Sequence, residues 1–195
     1  DFCTTNQLIV AMTNLSLIQK YNVPAPRYTS YPTVPHWKND VTPSNWASLF
    51  IKAYENFGPE EGISLYIHLP YCESLCTYCG CNKRITKNHT VELPYITAVM
   101  KEWDMYVELL DEKPKLAGIH LGGGTPTFFS PSSLWVLINH IVLNSNPMSN
   151  YEFSFEGHPN NTSREHLETL AGFGFNRVSY GIQDFDSKVQ RAIHR

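Results

Sequence analysis

The sequence predicts an α/β protein: a partial (β/α) barrel of parallel strands around a polar lumen, truncated after its fourth strand. Three observations carry that prediction. Runs with the two-residue period of strands alternate with runs at the three- and four-residue spacing of helices, the pattern of βαβ units and a parallel sheet. Each of the four strand runs is polar on one face, whereas strands of an open doubly wound sheet are usually apolar on both. A cysteine-crowded loop and a run of three glycines follow the first and second strands, where barrels place their chemistry.

Residues 1–16 precede the first recognisable element and are expected to be disordered or a non-native extension. Residues 17–42 hold Pro24, Pro26, Pro32 and Pro35 among Tyr28, Tyr31 and Trp37; proline at that density opposes helix and favours an extended strap. Residues 43–195 then read as the N-terminal part of the barrel. A helix is predicted over Pro43–Asn56, a strand over Ile63–Leu69, and a helix from about Leu93 to Asp111 with Pro94 in its first turn. Along that helix Leu93, Ile96, Met100, Trp103, Val107 and Leu110 share a face. There follow a strand Ala117–Leu121, a helix Pro131–Leu143, a strand Tyr151–Glu156, a helix Arg164–Phe173, a strand Asn176–Gln183 and a helix starting near Asp186.

Strand parity separates the faces. Leu65, Ile67 and Leu69 oppose Tyr66 and His68; Ile119 and Leu121 oppose His120. Tyr151, Phe153 and Phe155 oppose Glu152, Ser154 and Glu156, and Val178, Tyr180 and Ile182 oppose Arg177, Ser179 and Gln183. A polar face repeated four times suits a barrel lumen holding a polar ligand; one sheet face open to water is the alternative.

Composition narrows the function classes. The 195 residues are 42% hydrophobic and 17% charged, as in a globular domain. A net charge of −3 supplies no basic field for nucleic acid or an anionic membrane. No apolar run approaches the length of a membrane span, and Leu8–Met12 is too short and lacks the basic flank of a signal peptide, so a cytoplasmic setting is expected. The chain opens on Asp1, offers Met12 as a start, and stops at Arg195 within a predicted helix, so it reads as an N-terminal fragment. With a parallel edge open, such a fragment is expected to fold poorly alone.

Four of the five cysteines lie between Cys72 and Cys81, and Cys3 stands apart as incidental. Disulfide frameworks spread their cysteines to close longer loops, so the crowding points to a metal. The spacing C-x3-C-x2-C over Cys72, Cys76 and Cys79, with Cys81 two residues on, lacks the second distant pair of a structural zinc site and the intervals of a ferredoxin. Three thiolates would hold three irons of a cubane and leave one iron open. Gly122-Gly123-Gly124-Thr125-Pro126-Thr127 is by itself a weak signal, a tight turn by default, and lacks the lysine of a phosphate loop. One βα unit after the cysteines, it is a candidate contact for a cofactor.

With these residues in place, the chain resembles radical S-adenosylmethionine enzymes, and among them the oxygen-independent coproporphyrinogen III oxidases (coproporphyrinogen dehydrogenases). The resemblance runs from about Leu17 to Arg195 through LIQKYN at Leu17–Asn22, PRYTSYPT at Pro26–Thr33, YIHLPYC at Tyr66–Cys72, CGCNK at Cys79–Lys83, GGGTPT at Gly122–Thr127 and GFNRVSYGIQDF at Gly174–Phe185. It implies a radical SAM barrel holding a 4Fe–4S cluster and two S-adenosylmethionine molecules. It also implies a 5′-deoxyadenosyl radical that takes hydrogen from two propionates of coproporphyrinogen III, which become vinyl groups in protoporphyrinogen IX. The resemblance assigns Cys72, Cys76 and Cys79 to the cluster and Tyr66, Tyr78, Gly123, Gly124, Thr125 and Glu156 to the first S-adenosylmethionine. It assigns Gln183 and Arg195 to the second, and Cys81 to catalysis rather than to the cluster. It further implies a flavodoxin- or ferredoxin-like electron donor, a monomer when complete, a strap with Tyr28 and Tyr31 over the barrel mouth, and a carboxy-terminal substrate domain that this chain lacks. The chain departs from the family at Glu156-Gly157-His158-Pro159, where Glu-Val-Asp-Pro is common. A haem chaperone of the same superfamily is the alternative; those relatives usually lack the fourth cysteine and the strap.

Overall fold

The computed structural model describes residues 16–23, 32–38 and 40–194. Cys3, Tyr28, Tyr31 and Arg195 lie outside the described residues, with residues 1–15 of the predicted extension and residues 24–31 and 39 of the predicted strap. The chain divides into two units between Thr42 and Pro43. In the first, residues 16–21 are helical. Val34–His36 form a 3-10 turn, and the Trp37 indole N–H donates to the Pro32 carbonyl at 2.8 Å.

The second unit contains helices α1 (Pro43–Glu61), α2 (Glu92–Glu108), α3 (Pro131–Leu143), α4 (Arg164–Gly172) and α5 (Ser187–Ala192). Its strands are β1 (Ile63–Leu69), β2 (Tyr71–Cys72), β3 (Arg84–Ile85), β4 (Lys115–Gly123), β5 (Asn146–Gly157) and β6 (Arg177–Tyr180). The main sheet runs β1-β4-β5-β6, all parallel. That is the order of the chain, whereas a doubly wound sheet reverses at a switch point. The apolar face of the sheet, from Ile67, Leu69, Leu116, Ile119, Leu121, Phe153 and Phe155, packs on Ile96 and Trp103 of α2, Leu134, Leu137, Ile138 and Ile141 of α3, and Leu170 of α4. Strands in chain order with their helices on one face form the wall of a barrel.

The helix starts are built locally. Ser130 caps α3 by accepting from the Ser133 N–H, with Pro131 in the first turn. Ser163 and His166 form a capping box on α4. Asp186 accepts from the Lys188 and Val189 N–H groups at the start of α5.

Several boundaries differ from the sequence reading, among them the second strand, which extends to Lys115–Gly123, and the helix predicted to reach Asp111, which ends at Glu108. Helix α1 continues past Gly58-Pro59 and stops where Gly62 turns left-handed at φ 72°, its N–H donating to the Gly58 carbonyl at 3.0 Å. Strand β5 begins at Asn146, because Asn146 and Pro147 pair with Lys115 and Leu116 below a register shift in β4. Strand β6 ends at Tyr180 rather than Gln183, since its partner β5 ends at Gly157, paired to Tyr180. The two-residue ladder β2–β3, which the sequence reading lacks, brackets the cysteine loop.

Candidate cofactor site at the carboxyl ends of the strands

The cysteine loop is tied down from four sides. At its base the Arg84 N–H donates to the Pro70 carbonyl at 2.8 Å, and the Thr86 N–H to the Cys72 carbonyl at 2.9 Å. Inside it, a turn from Cys76 to Cys79 is closed by the Cys79 N–H donating to the Cys76 carbonyl at 3.1 Å. The Lys83 ammonium donates to the carbonyls of Cys79 (3.1 Å) and Cys81 (3.2 Å). At the far rim the Thr77 N–H donates to the Ile193 carbonyl after α5 at 3.2 Å, so the loop after β1 meets the helix after β6.

The glycine run comes against the same loop. The Gly124 N–H donates to the Leu69 carbonyl at 2.9 Å and the Thr125 N–H to that of Tyr71 at 3.0 Å. A Cβ on Gly124 would stand 2.6 Å from the Pro70 carbonyl oxygen, a backbone atom that cannot swing away. Gly123 takes φ 115°, with the His68 ring in the space a side chain would need. The Thr125 hydroxyl lies 3.4 Å from Cys72 Sγ.

These segments enclose a cavity of about 280 Å³ at the carboxyl ends of β1, β4, β5 and β6. Cys72, Cys76, Cys79, Cys81, Tyr78, Gly123, Gly124, Thr125, Glu156 and Gln183 all line it. Tyr66 does not: its hydroxyl meets His68 Nδ1 at 3.1 Å and its ring stacks on His120 at 5.8 Å. Gln183 follows the end of β6 in a left-handed backbone, φ 71°, which a non-glycine residue adopts at some cost.

Burial pushes the Cys72 thiol above its ordinary range; the Thr125 hydrogen bond opposes this, and the Cys79 and Cys76 charges add to it. Burial also raises Cys81, followed by the charge and hydrogen bond of Cys79 and the charge of Glu156. Crowded thiols that resist ionising next to one another are relieved by a cation, so the donor set fits a thiolate-bound metal cluster. Among the described residues no three His, Cys, Asp or Glu side chains stand close enough to hold a single metal ion. The four thiols stand around the cavity wall instead.

The predicted lumen face is a connected polar surface. His120 Nδ1 lies 2.8 Å from the Ser154 hydroxyl and its Nε2 3.7 Å from Glu156. Arg177 donates to Glu152 at 2.9 Å, and His68 Nε2 donates to the Asn82 carbonyl at 2.7 Å. Burial raises the Tyr66 phenol, with the charges of Glu156 and Cys81 adding to the effect. The Gly157-His158 departure has a steric reason: a Cβ on Gly157 would lie 2.8 Å from the Tyr180 ring. His158 then accepts from the Asn161 and Thr162 N–H groups at 3.0 Å and joins the cavity wall. Sequence reasoning did not assign Glu73, Lys83, Asn161 or Ser179 to the site; Lys83 carried a signal as the last residue of CGCNK, and Ser179 as a member of the polar strand face. No helix among the described residues is long and apolar enough to cross a membrane.

The chain belongs to the radical SAM superfamily, whose sequence model matches residues 66–195, the cysteine loop included. More narrowly, it is similar to oxygen-independent coproporphyrinogen III oxidases. It is 39% identical over 177 residues to that of Helicobacter pylori strain J99, covering 90% of this chain and 38% of the relative. With the Escherichia coli K12 protein it is 36% identical over 187 residues, covering 93% of this chain and 38% of the relative. Among solved structures, coproporphyrinogen III oxidase (HemN) from Escherichia coli, a radical SAM enzyme, matches with a TM-score of 0.79 at 34% identity, over 93% of this chain and 39% of that one. The chain thus spans about two fifths of the length of the relatives it matches, 38% for the two curated proteins.

Proposed function

We propose that this chain is the cofactor-binding part of an oxygen-independent coproporphyrinogen III oxidase, acting in porphyrin and haem biosynthesis. One observation carries the reading: ten of the residues the resemblance singles out line a single cavity although they come from four separate strand ends. Cys72, Cys76 and Cys79 would hold a 4Fe–4S cluster, and Cys81 stays outside it, because a fourth thiolate would close the open iron. When bound, the reduced cluster and S-adenosylmethionine would supply the 5′-deoxyadenosyl radical chemistry. The chain's own part is to place and shield. Thr125 sits against Cys72 and orients the first ligand of the loop. Glu156, held beside His120, offers a carboxylate to the amino group of S-adenosylmethionine. Gln183, past the end of β6, lines the cavity and would offer its amide to a second S-adenosylmethionine, the molecule to which the resemblance also assigns Arg195. Tyr78 covers the cavity as an aromatic wall suited to an adenine. Tyr66 acts one layer below, through His68 and His120. Coproporphyrinogen III is the substrate of this reading, and a flavodoxin- or ferredoxin-like protein its electron donor.

The test uses the whole protein, anaerobically loaded with iron and sulfide, with S-adenosylmethionine, a reductant and coproporphyrinogen III. The expected products are 5′-deoxyadenosine and a divinyl porphyrinogen. 5′-Deoxyadenosine without the vinyl product rejects the oxidase and keeps the superfamily chemistry. Zinc bound in place of iron rejects both.

A further inference from the structure

Lys83 has a role on the cavity wall that neither the fold nor the cysteine spacing requires. A lysine on a surface loop ordinarily trails into water, and its charge contributes little. Here the ammonium is half-buried and bonded twice, to the carbonyl oxygens of Cys79 at 3.1 Å and Cys81 at 3.2 Å. It also lines the same cavity as the four thiols, and among the described lining residues it is the one lysine or arginine. The Cys76–Cys79 turn also holds the loop between β2 and β3, and Thr77 to Ile193 ties it outward.

We propose that Lys83 is a positioning residue for the cluster: its ammonium pins the Cys79–Cys81 turn in the shape that presents the thiols, and its charge favours the reduced cluster. The first half stands on the hydrogen bonds alone. The second rests on the iron–sulfur reading above. One-electron reduction by an external donor adds one negative charge to the cluster, and a fixed cation on the same wall stabilises that charge more than it stabilises the oxidised form. A compact ammonium serves here because it can donate to two converging carbonyls at once.

Two variants of the whole protein separate the halves. Lys83→Met keeps length and removes charge and donors; Lys83→Arg keeps the charge. In metal-free protein, amide hydrogen exchange across residues 76–82 should speed up about tenfold in Lys83→Met while the strand amides stay as in the parent. After anaerobic loading, a redox titration followed by electron paramagnetic resonance should give Lys83→Met a reduced-to-oxidised ratio about tenfold lower at a fixed potential, about 59 mV for one electron. Lys83→Arg should hold the parental ratio. Unchanged loop exchange in Lys83→Met overturns the pinning. A parental ratio in Lys83→Met, or an equal drop in both variants, overturns the charge effect. A parent that takes up no iron–sulfur cluster overturns the iron–sulfur reading and the charge effect with it, and the exchange measurement still decides the pinning.

Discussion

Replacing Glu92 by Ala should cost the fold about 3 kcal/mol and loosen the wall behind the cysteine loop. Glu92 opens α2 and is only 5% exposed. Its Oε2 accepts from the Ser130 N–H and hydroxyl, each at 2.9 Å, and its Oε1 meets His89 Nδ1 at 2.6 Å. His89 in turn stacks flat on Phe128, 4.5 Å between centroids, and its Nε2 lies 3.6 Å from Glu73, the residue after Cys72. One carboxylate therefore joins the α2 start, the α3 cap and, through His89, the cysteine loop. Hydrogen bonds to a charged group contribute about 1.5–3 kcal/mol each; all three are lost with the carboxylate, and water and the Ser133 hydroxyl re-satisfy two of the donors in part, which leaves about 3 kcal/mol. For a domain of this size that is a drop of roughly 6–12 °C in melting temperature. The sign with pH is fixed as well. Burial alone would raise the Glu92 carboxyl, but hydrogen bonds from Ser133, Ser130 and His89 outweigh it and hold it below its ordinary value. A depressed carboxyl stabilises the fold above its unfolded pKa, about 4.3, and that contribution is lost as pH falls through the folded value. Urea unfolding of parent and Glu92→Ala, run from pH 7 down to 4, should show the full difference at pH 7 and a smaller one at pH 4. A difference under 1 kcal/mol at pH 7, or one that grows as pH falls, would refute the reasoning.

Gly124→Ala puts a methyl 2.6 Å from the Pro70 carbonyl oxygen, so it should lower stability by about 1–3 kcal/mol and reduce iron uptake; parental melting would show that the two strand ends can separate freely. Cys81→Ser should leave the iron-to-protein ratio unchanged and depress vinyl formation, and loss of iron would make Cys81 a ligand. Gln183→Gly and Gln183→Ala both remove the cavity amide, yet the Gly variant should be the more stable by about 1 kcal/mol, because only Ala keeps a side chain at φ 71°. Equal melting temperatures would mean the backbone there stores no strain.

The sheet was legible because its two faces differ in chemistry at every strand. Ile67 and Leu69 against Tyr66 and His68, or Phe153 and Phe155 against Glu152 and Glu156, set the inside and outside of a barrel wall before any contact is known. Topology put the cysteine loop and the glycine run at one end of the sheet and the resemblance supplied Glu156 and Gln183; the structure brings all four segments to one cavity at the strands' carboxyl ends. What the residues alone could not supply was the set of bonds between distant segments. Nothing in Tyr71-Cys72 or Arg84-Ile85 marks a two-residue ladder, which exists only because the loop between them folds back. Tyr66 carries the right phenol on the right face, but which partner its hydroxyl meets depends on His68 and His120 rotamers that no pattern encodes. The end of β6 was overestimated because apolar alternation runs on through Ile182, while pairing stops where β5 stops.

The glycine run illustrates how one motif can serve fold and ligand with different atoms. Read from sequence, three glycines invite the idea that bare N–H groups are offered to a cofactor. Yet the N–H groups of Gly124 and Thr125 are already donated to Leu69 and Tyr71, and the space beside Gly123 and Gly124 is filled by His68 and by the Pro70 backbone. The absent side chains let β4 close on the exit of β1 and fix where Cys72 begins its loop. Gly123, Gly124 and Thr125 all line the cavity, and the Thr125 hydroxyl there sits 3.4 Å from Cys72 Sγ. Glu156, on the neighbouring strand, brings an acceptor carboxylate to the same cavity, so the acceptors offered there are side chains rather than the glycine backbone's own N–H groups.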